Sequence, residues 1–116
     1  MITEPTRLDI RVEQDEESAA TVITTAGELD LSSADTLREI LLKRVEHGAV
    51  VLDMRGLDFC DSAGLRILVE ADRAARARGA ALRLAAVSAS VDRVLELSGA
   101  HSVLATFPDV ATALKA

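Results

Sequence analysis

The sequence predicts an α/β domain built on one mixed β-sheet, with the element order β-β-α-β-α-β-α-β-α and the helices packed on the sheet. Three observations carry this expectation. A period-two hairpin opens the chain, short apolar runs of β-forming residues then alternate with stretches of helical periodicity, and Gly48, Gly79 and Gly99 each close one of those stretches. A hairpin is antiparallel, whereas strand-helix-strand units force parallel neighbours through right-handed crossovers, so the sheet has mixed directions.

The first strand is Leu8-Asp9-Ile10-Arg11-Val12, which alternates apolar and polar residues. The acidic stretch Glu13 to Glu17 reads as a turn, and Ala20 to Thr25, rich in Thr, Val and Ile, forms the second arm, ending at Gly27-Glu28-Leu29-Asp30. Ser32 and Asp35 have the spacing of a capping box, so a helix begins near Ser32 with Leu37, Ile40, Leu41 and Val45 inward. Gly48 stops it, and His47 falls in its last turn, where the dipole favours positive charge. Ala49 to Leu52 is a short central strand covered on both faces, followed by a connection from Asp53 to Asp61 that places a strand-to-helix junction at Ser62. From Ala63 to Arg78 a helix turns Leu65, Leu68 and Val69 inward, with Arg66/Glu70 and Asp72/Arg76 as exposed i,i+4 pairs. Ala81 to Val87 is the next strand. Ser88 or Ser90 caps a helix facing inward with Val91, Val94, Leu95 and Ser98; a short strand at Val103 to Thr106 and a helix from about Pro108 complete the chain.

At 116 residues and 49% hydrophobic content the chain is expected to form one domain over residues 1–116, with an ordered core from about 7 to 115. There is no Trp or Tyr, and only Phe59 and Phe107 supply rings, so the core is aliphatic. Each large aliphatic side chain fully buried contributes roughly 1.5–3 kcal/mol. The net charge of -6 argues against nucleic acid or an anionic membrane as partner. The single cysteine, Cys60, forms no internal disulfide and reads as a buried small hydrophobe. Met1 to Arg7 lacks the apolar core of a signal peptide, and no run approaches the length of a membrane span, so a cytoplasmic location is expected. His101 has no second histidine or carboxylate pair at metal spacing, and no cofactor is expected.

Chemistry concentrates in Asp58-Phe59-Cys60-Asp61-Ser62-Ala63-Gly64-Leu65, where a loop delivers the Ser62 hydroxyl to the first turn of a helix. The first N–H groups of a helix lack internal partners, so Ser62 can cap them, and a phosphate attached to it can be held by the same donors. Phosphorylation adds roughly -1.5 to -2 charge. Beside Asp61 and Asp58, that charge would repel a partner docked on the helix start while leaving the fold intact. The plain alternative is that Ser62 is only a cap. Gly64, unfavourable inside a helical turn, suggests close approach by another backbone or by a partner, with simple tolerance at a helix end as its alternative. A serine hydrolase is the enzyme alternative: residues 60–64 half-match a Gly-x-Ser-x-Gly elbow, with Cys60 in place of the first glycine and only His47 and His101 as bases.

Three landmarks, Gly27-Glu28-Leu29-Asp30, Asp61-Ser62-Ala63-Gly64-Leu65 and Ser98-Gly99, resemble in order and spacing those of the STAS domain family, and within it the bacterial anti-sigma factor antagonists. The resemblance spans nearly the whole chain. It implies a single STAS-like domain without catalysis of its own. The unphosphorylated form would bind an ATP-using anti-sigma factor protein kinase and free a sigma factor; phosphorylation at Ser62 would end binding, and a phosphatase would restore it. Asp30 would orient Ser62 or contact the partner. Asp58, Asp61, Ser62, Ala63, Gly64, Leu65 and Arg66 would supply the rest of the docking surface. Ala63, Ala89 and Ala100 depart from hydroxyl, proline and leucine residues common at those family positions, and none removes the acceptor. The same domain also serves as a stressosome component or a subunit of lipid-transport complexes, which leaves a scaffold without a phosphorylation cycle as the second reading.

Overall fold

A hairpin closed by Asp15 starts the fold. The Asp15 Oδ2 accepts hydrogen bonds from the Ser18 amide (2.9 Å) and hydroxyl (2.7 Å), turning strand β1 (Leu8–Gln14) back into β2 (Thr21–Leu29). In the computed structural model, which describes residues 8–116, there follow α1 (Ala34–Val45), β3 (Val50–Cys60), α2 (Ser62–Arg76), β4 (Leu82–Ala85), α3 (Ala89–Ser98), a 3-10 turn at Ala100–Ser102, β5 (Ala105–Phe107) and α4 (Val110–Leu114). The five-stranded sheet has the order β1-β2-β3-β4-β5, antiparallel between β1 and β2 and parallel thereafter. The expected order of elements and the mixed sheet are both present. The expected ordered start near residue 7 and the reading of Met1 to Arg7 lie outside the described residues.

Because the parallel strands are added in one direction, right-handed crossovers put α1, α2 and α3 on the same face. Leu37, Leu41, Leu68 and Leu95 there pack with Ile23, Leu52, Leu84 and Met54 in one aliphatic core. The other face is covered by α4, whose Ala113 meets Val51 and Ala85. Among the described residues no helix is long and apolar enough to cross a membrane.

Several local expectations are corrected. β3 is eleven residues long, and no connection runs from Asp53 to Asp61. The strand continues because β2 continues beside it as far as the Leu29/Cys60 pair, with two register shifts that break the side-chain alternation by which a strand is read. α1 begins at Ala34, two residues later than expected, because Ser32 and Ser33 are otherwise engaged. The Ser32 hydroxyl donates to Asp30 Oδ1 at 2.7 Å, the Ser33 hydroxyl donates to the Glu28 carbonyl at 2.9 Å, and no side-chain cap forms. His47 lies just beyond the end of α1. In α2 the inward residues are Gly64, Ile67, Leu68, Ala71, Asp72 and Ala75; Leu65 and Val69 are half-buried. β4 stops at Ala85, before Ala86 takes a positive φ of 57°. β5 starts at Ala105, and α4 starts at Val110, capped by Asp109 through the Thr112 amide (2.7 Å). Ser88 is the cap of α3, and Gly99 closes it in the left-handed conformation at φ 82°, while Ser98 faces solvent.

Neither expected ion pair of α2 is a simple surface pair. Glu70 leaves Arg66 and instead receives Arg38 of α1 in a two-pronged contact, Nε to Oε1 at 2.9 Å and Nη2 to Oε2 at 2.6 Å. Hydrogen bonding to Arg38 holds the Glu70 carboxyl below the usual carboxylate range, and both side chains stay about two-fifths exposed. Asp72 is buried. It accepts from Arg76 Nε at 2.7 Å and from the Leu82 amide at 3.1 Å, which ties α2 to the first residue of β4.

Gly64 is explained from within the chain rather than by a partner. A Cβ added there would lie 2.6 Å from Leu29 Cγ and 3.0 Å from Cys60 Sγ, so α2 can lie this close to the ends of β2 and β3 only without a side chain. Gly64→Ala is expected to lower unfolding stability in urea by about 1–2 kcal/mol, the overpacking outweighing the gain in helix propensity. Asp72→Ala leaves the buried Leu82 amide without its acceptor and is expected to cost about 3 kcal/mol. Asp72→Asn, which keeps an acceptor oxygen, is expected to cost less in the same measurement.

Candidate functional site

Strands β2 and β3 run parallel and end side by side, so the turns that leave them meet. The Asp61 amide donates to the Leu29 carbonyl at 3.1 Å, continuing the ladder one residue past the sheet. The Asp61 side chain then does two things. Its Oδ1 accepts from the Gly64 amide at 3.0 Å, which caps α2, and its Oδ2 accepts from the Leu31 amide at 3.3 Å, which holds the turn leaving β2. The cap of α2 is therefore Asp61, and Ser62 is the first helical residue, contrary to the expectation that Ser62 caps. Asp61 is the better cap here because its extended backbone (φ -98°, ψ -172°) turns the carboxylate over the helix end.

Ser62 is exposed, and no protein group among the described residues hydrogen-bonds its hydroxyl. The amides of Ser62 and Ala63, in the first turn, have no carbonyl one turn back to receive them, and the helix dipole adds partial positive charge. The place thus suits a negatively charged group, although the adjacent Asp61 brings a carboxylate close by.

Asp30 shapes the opposite side. Its Oδ1 accepts from the Ser32 amide at 3.0 Å and hydroxyl at 2.7 Å, with a longer contact from the Ser33 hydroxyl at 3.3 Å. The Ser32 hydroxyl is the main cause that holds the Asp30 carboxyl below the usual carboxylate range, so it is ionised. Asp30, Leu31, Ser32, Phe59 and Asp61 line one shallow, open hollow.

The remaining expected site residues divide by burial. Asp58 and Arg66 are exposed, Asp58 on β3 rather than on a loop; Ala63 and Leu65 are half-buried against the core. Gly64 is buried and offers no surface to a partner. Cys60 is buried as expected, and burial, with a smaller contribution from Asp61, pushes its thiol up to about 11, which keeps it protonated and unreactive. The sequence assigns no role to Leu31 or Phe59; both are exposed at the hollow. An exposed leucine carries no periodic signal, because only the turn at Asp30 decides which way it points.

The arrangement gives no support to a hydrolase elbow. His101 lies on the 3-10 turn with its Nε2 3.6 Å from Asp92 Oδ1, His47 follows the far end of α1, and no base is hydrogen-bonded to Ser62 among the described residues. No group of three metal-ligating side chains occurs among the described residues either.

This geometry sits in a recognisable lineage. An anti-sigma F factor antagonist of Paenibacillus polymyxa is 24% identical over 112 residues, covering 92% of this chain and 94% of that protein. The crystal structure of an anti-sigma factor antagonist from Mycobacterium paratuberculosis superposes with a TM-score of 0.83 at 23% identity, over 98% of this chain and 97% of the other. The Bacillus anti-sigma factor antagonist SpoIIAA, solved in unphosphorylated and phosphorylated forms, superposes at TM-scores of 0.73 and 0.68 with 20% identity, over 90% of this chain and 92% and 96% of those chains. At these identities the solved structures establish a shared fold. The STAS domain model matches residues 9–113, nearly the whole chain, and the protein therefore belongs to the STAS domain family.

Proposed function

We propose that the chain is an anti-sigma factor antagonist that docks on an ATP-using anti-sigma factor kinase through the start of α2 and the Asp30 turn, and leaves it when Ser62 is phosphorylated. The relatives named as anti-sigma factor antagonists support the reading, and SpoIIAA is known in a phosphorylated form. The single observation that carries it in this chain is the division of labour at residues 61 and 62. Asp61 holds the helix end, so the exposed Ser62 hydroxyl is free to be modified.

In the proposed step the Ser62 Oγ attacks the γ-phosphorus of ATP bound to the kinase. Its proton passes to a base on that kinase, the new O–P bond replaces the bond to the bridging oxygen, and ADP departs. The product carries roughly -1.5 to -2 charge beside Asp61. A partner fitted to the neutral hydroxyl meets both bulk and repulsion, while the dipole and open amides of α2 keep the phosphate compatible with the fold. A phosphatase that removes the group would restore binding.

Mass spectrometry of the protein after incubation with ATP and each anti-sigma kinase of the source genome is expected to find one phosphate, on Ser62, and none on Ser62→Ala. Ser62→Ala is expected to retain binding to that kinase, whereas Ser62→Asp is expected to weaken it by about tenfold or more with stability unchanged to within about 1 kcal/mol. Tight kinase binding by both Ser62→Asp and the phosphorylated protein would end the proposal. The capping roles separate in thermal unfolding: Asp61→Ala is expected to cost about 1 kcal/mol or more, and Ser62→Ala close to nothing.

A further inference from the structure

Four large apolar side chains stand exposed among the described residues, and two of them, Leu31 (80% exposed) and Phe59 (49%), line the same hollow beside Asp61. One exposed leucine is ordinary on a protein surface. Two large apolar groups converging on one hollow, one of them one of the chain's two phenylalanines, form a patch that water solvates poorly.

The patch is also held in place. The Leu31 amide is fixed by Asp61 Oδ2 at 3.3 Å, and Phe59 stands in β3 opposite Glu28 of β2. Apolar groups presented by ordered backbone lose little further freedom when a partner covers them. The charged residues that line the hollow are both acidic, Asp30 and Asp61, and Asp58 precedes Phe59; the flanking basic residues, Arg38, Arg55 and Arg66, are not among its lining. An apolar centre inside a charged rim is the usual layout of the part of an interface that carries most of its binding energy.

We propose that Leu31 and Phe59 are the apolar anchor of the docking surface, seated in an apolar pocket of the anti-sigma kinase that is rimmed by Lys or Arg. This rests on the reading above of a kinase partner and adds the chemistry of its contact face. The acidic rim selects the basic pocket and speeds encounter; the anchor supplies the slow dissociation. It also gives phosphorylation its reach, since added charge on Ser62 falls next to the Asp61 carboxylate that holds Leu31.

The test uses the full chain and the kinase that phosphorylates Ser62, with calorimetric titration at low and high salt. Leu31→Ala and Phe59→Ala are each expected to weaken binding by about tenfold or more. Leu31→Met, which keeps the apolar bulk, is expected to stay within about threefold of wild type. Because Leu31 is mostly in solvent, its variants are expected to melt as wild type does, so lost binding is not lost folding. Salt is expected to weaken wild type and Leu31→Ala by the same factor, because the rim remains. Unchanged binding by both alanine variants, with Ser62→Asp still impaired, overturns the anchor and leaves the switch standing. Salt-independent binding by wild type overturns the basic rim. If wild type binds no anti-sigma kinase, the anchor falls together with the reading on which it rests.

Discussion

The Asp61 carboxylate is the constraint on which the site depends. With one oxygen it accepts the Gly64 amide and ends α2; with the other it accepts the Leu31 amide, thirty positions away in sequence. A carboxylate has lone pairs enough for both, and each bond satisfies a main-chain donor that would otherwise face solvent at an element end. The turn leaving β2 and the helix leaving β3 are thereby fixed to each other, and the hollow between them has a defined shape.

That bond also separates holding from signalling. Where a serine caps a helix, modifying it changes the helix; here the neighbouring aspartate caps, and Ser62 is left exposed on the first turn. The packing behind it enforces the same arrangement. Gly64 lets Leu29 and Cys60 press against α2, so the helix start cannot shift without disturbing the ends of two strands. Such a rigid base suits a surface whose proposed partner must distinguish one hydroxyl from one phosphate.

Farther along, α2 is tied to its surroundings at two more places. Arg38 bridges it to α1 through Glu70, and Asp72 bridges it to β4 through the Leu82 amide. The first bond is partly in water and contributes little to stability; the second is buried and fixes register, since few other groups could satisfy that amide. The last residues of β2 and β3, Leu29 and Cys60, are buried against α2, so the surface of the site is made by the Asp30 turn and the first turn of α2 that follow them.

The element order and the sheet's mixed directions were legible in the chain because they follow from periodicity and from glycines that end helices, both local properties. The strand-to-helix junction at residues 60–62 was legible for the same reason: a junction with a hydroxyl at its start is written in consecutive residues. What was not legible depended on neighbours far away in sequence. The second half of β3 reads as a loop until β2 is laid beside it, the real partners of Ser32 and Glu70 were not those that spacing suggested, and Asp72 adds the Leu82 amide to the Arg76 partner that spacing did suggest. The exposure of Leu31 and Phe59 carries no local signal, because the Asp30 turn points one of them, and the strand's broken register the other, toward water. Sequence alone determined which segments become strands and helices, since those depend on the next few residues. Tertiary structure decided which hydrogen-bonding group meets which, because main-chain donors at element ends take whatever acceptor the folded chain brings within about 3 Å.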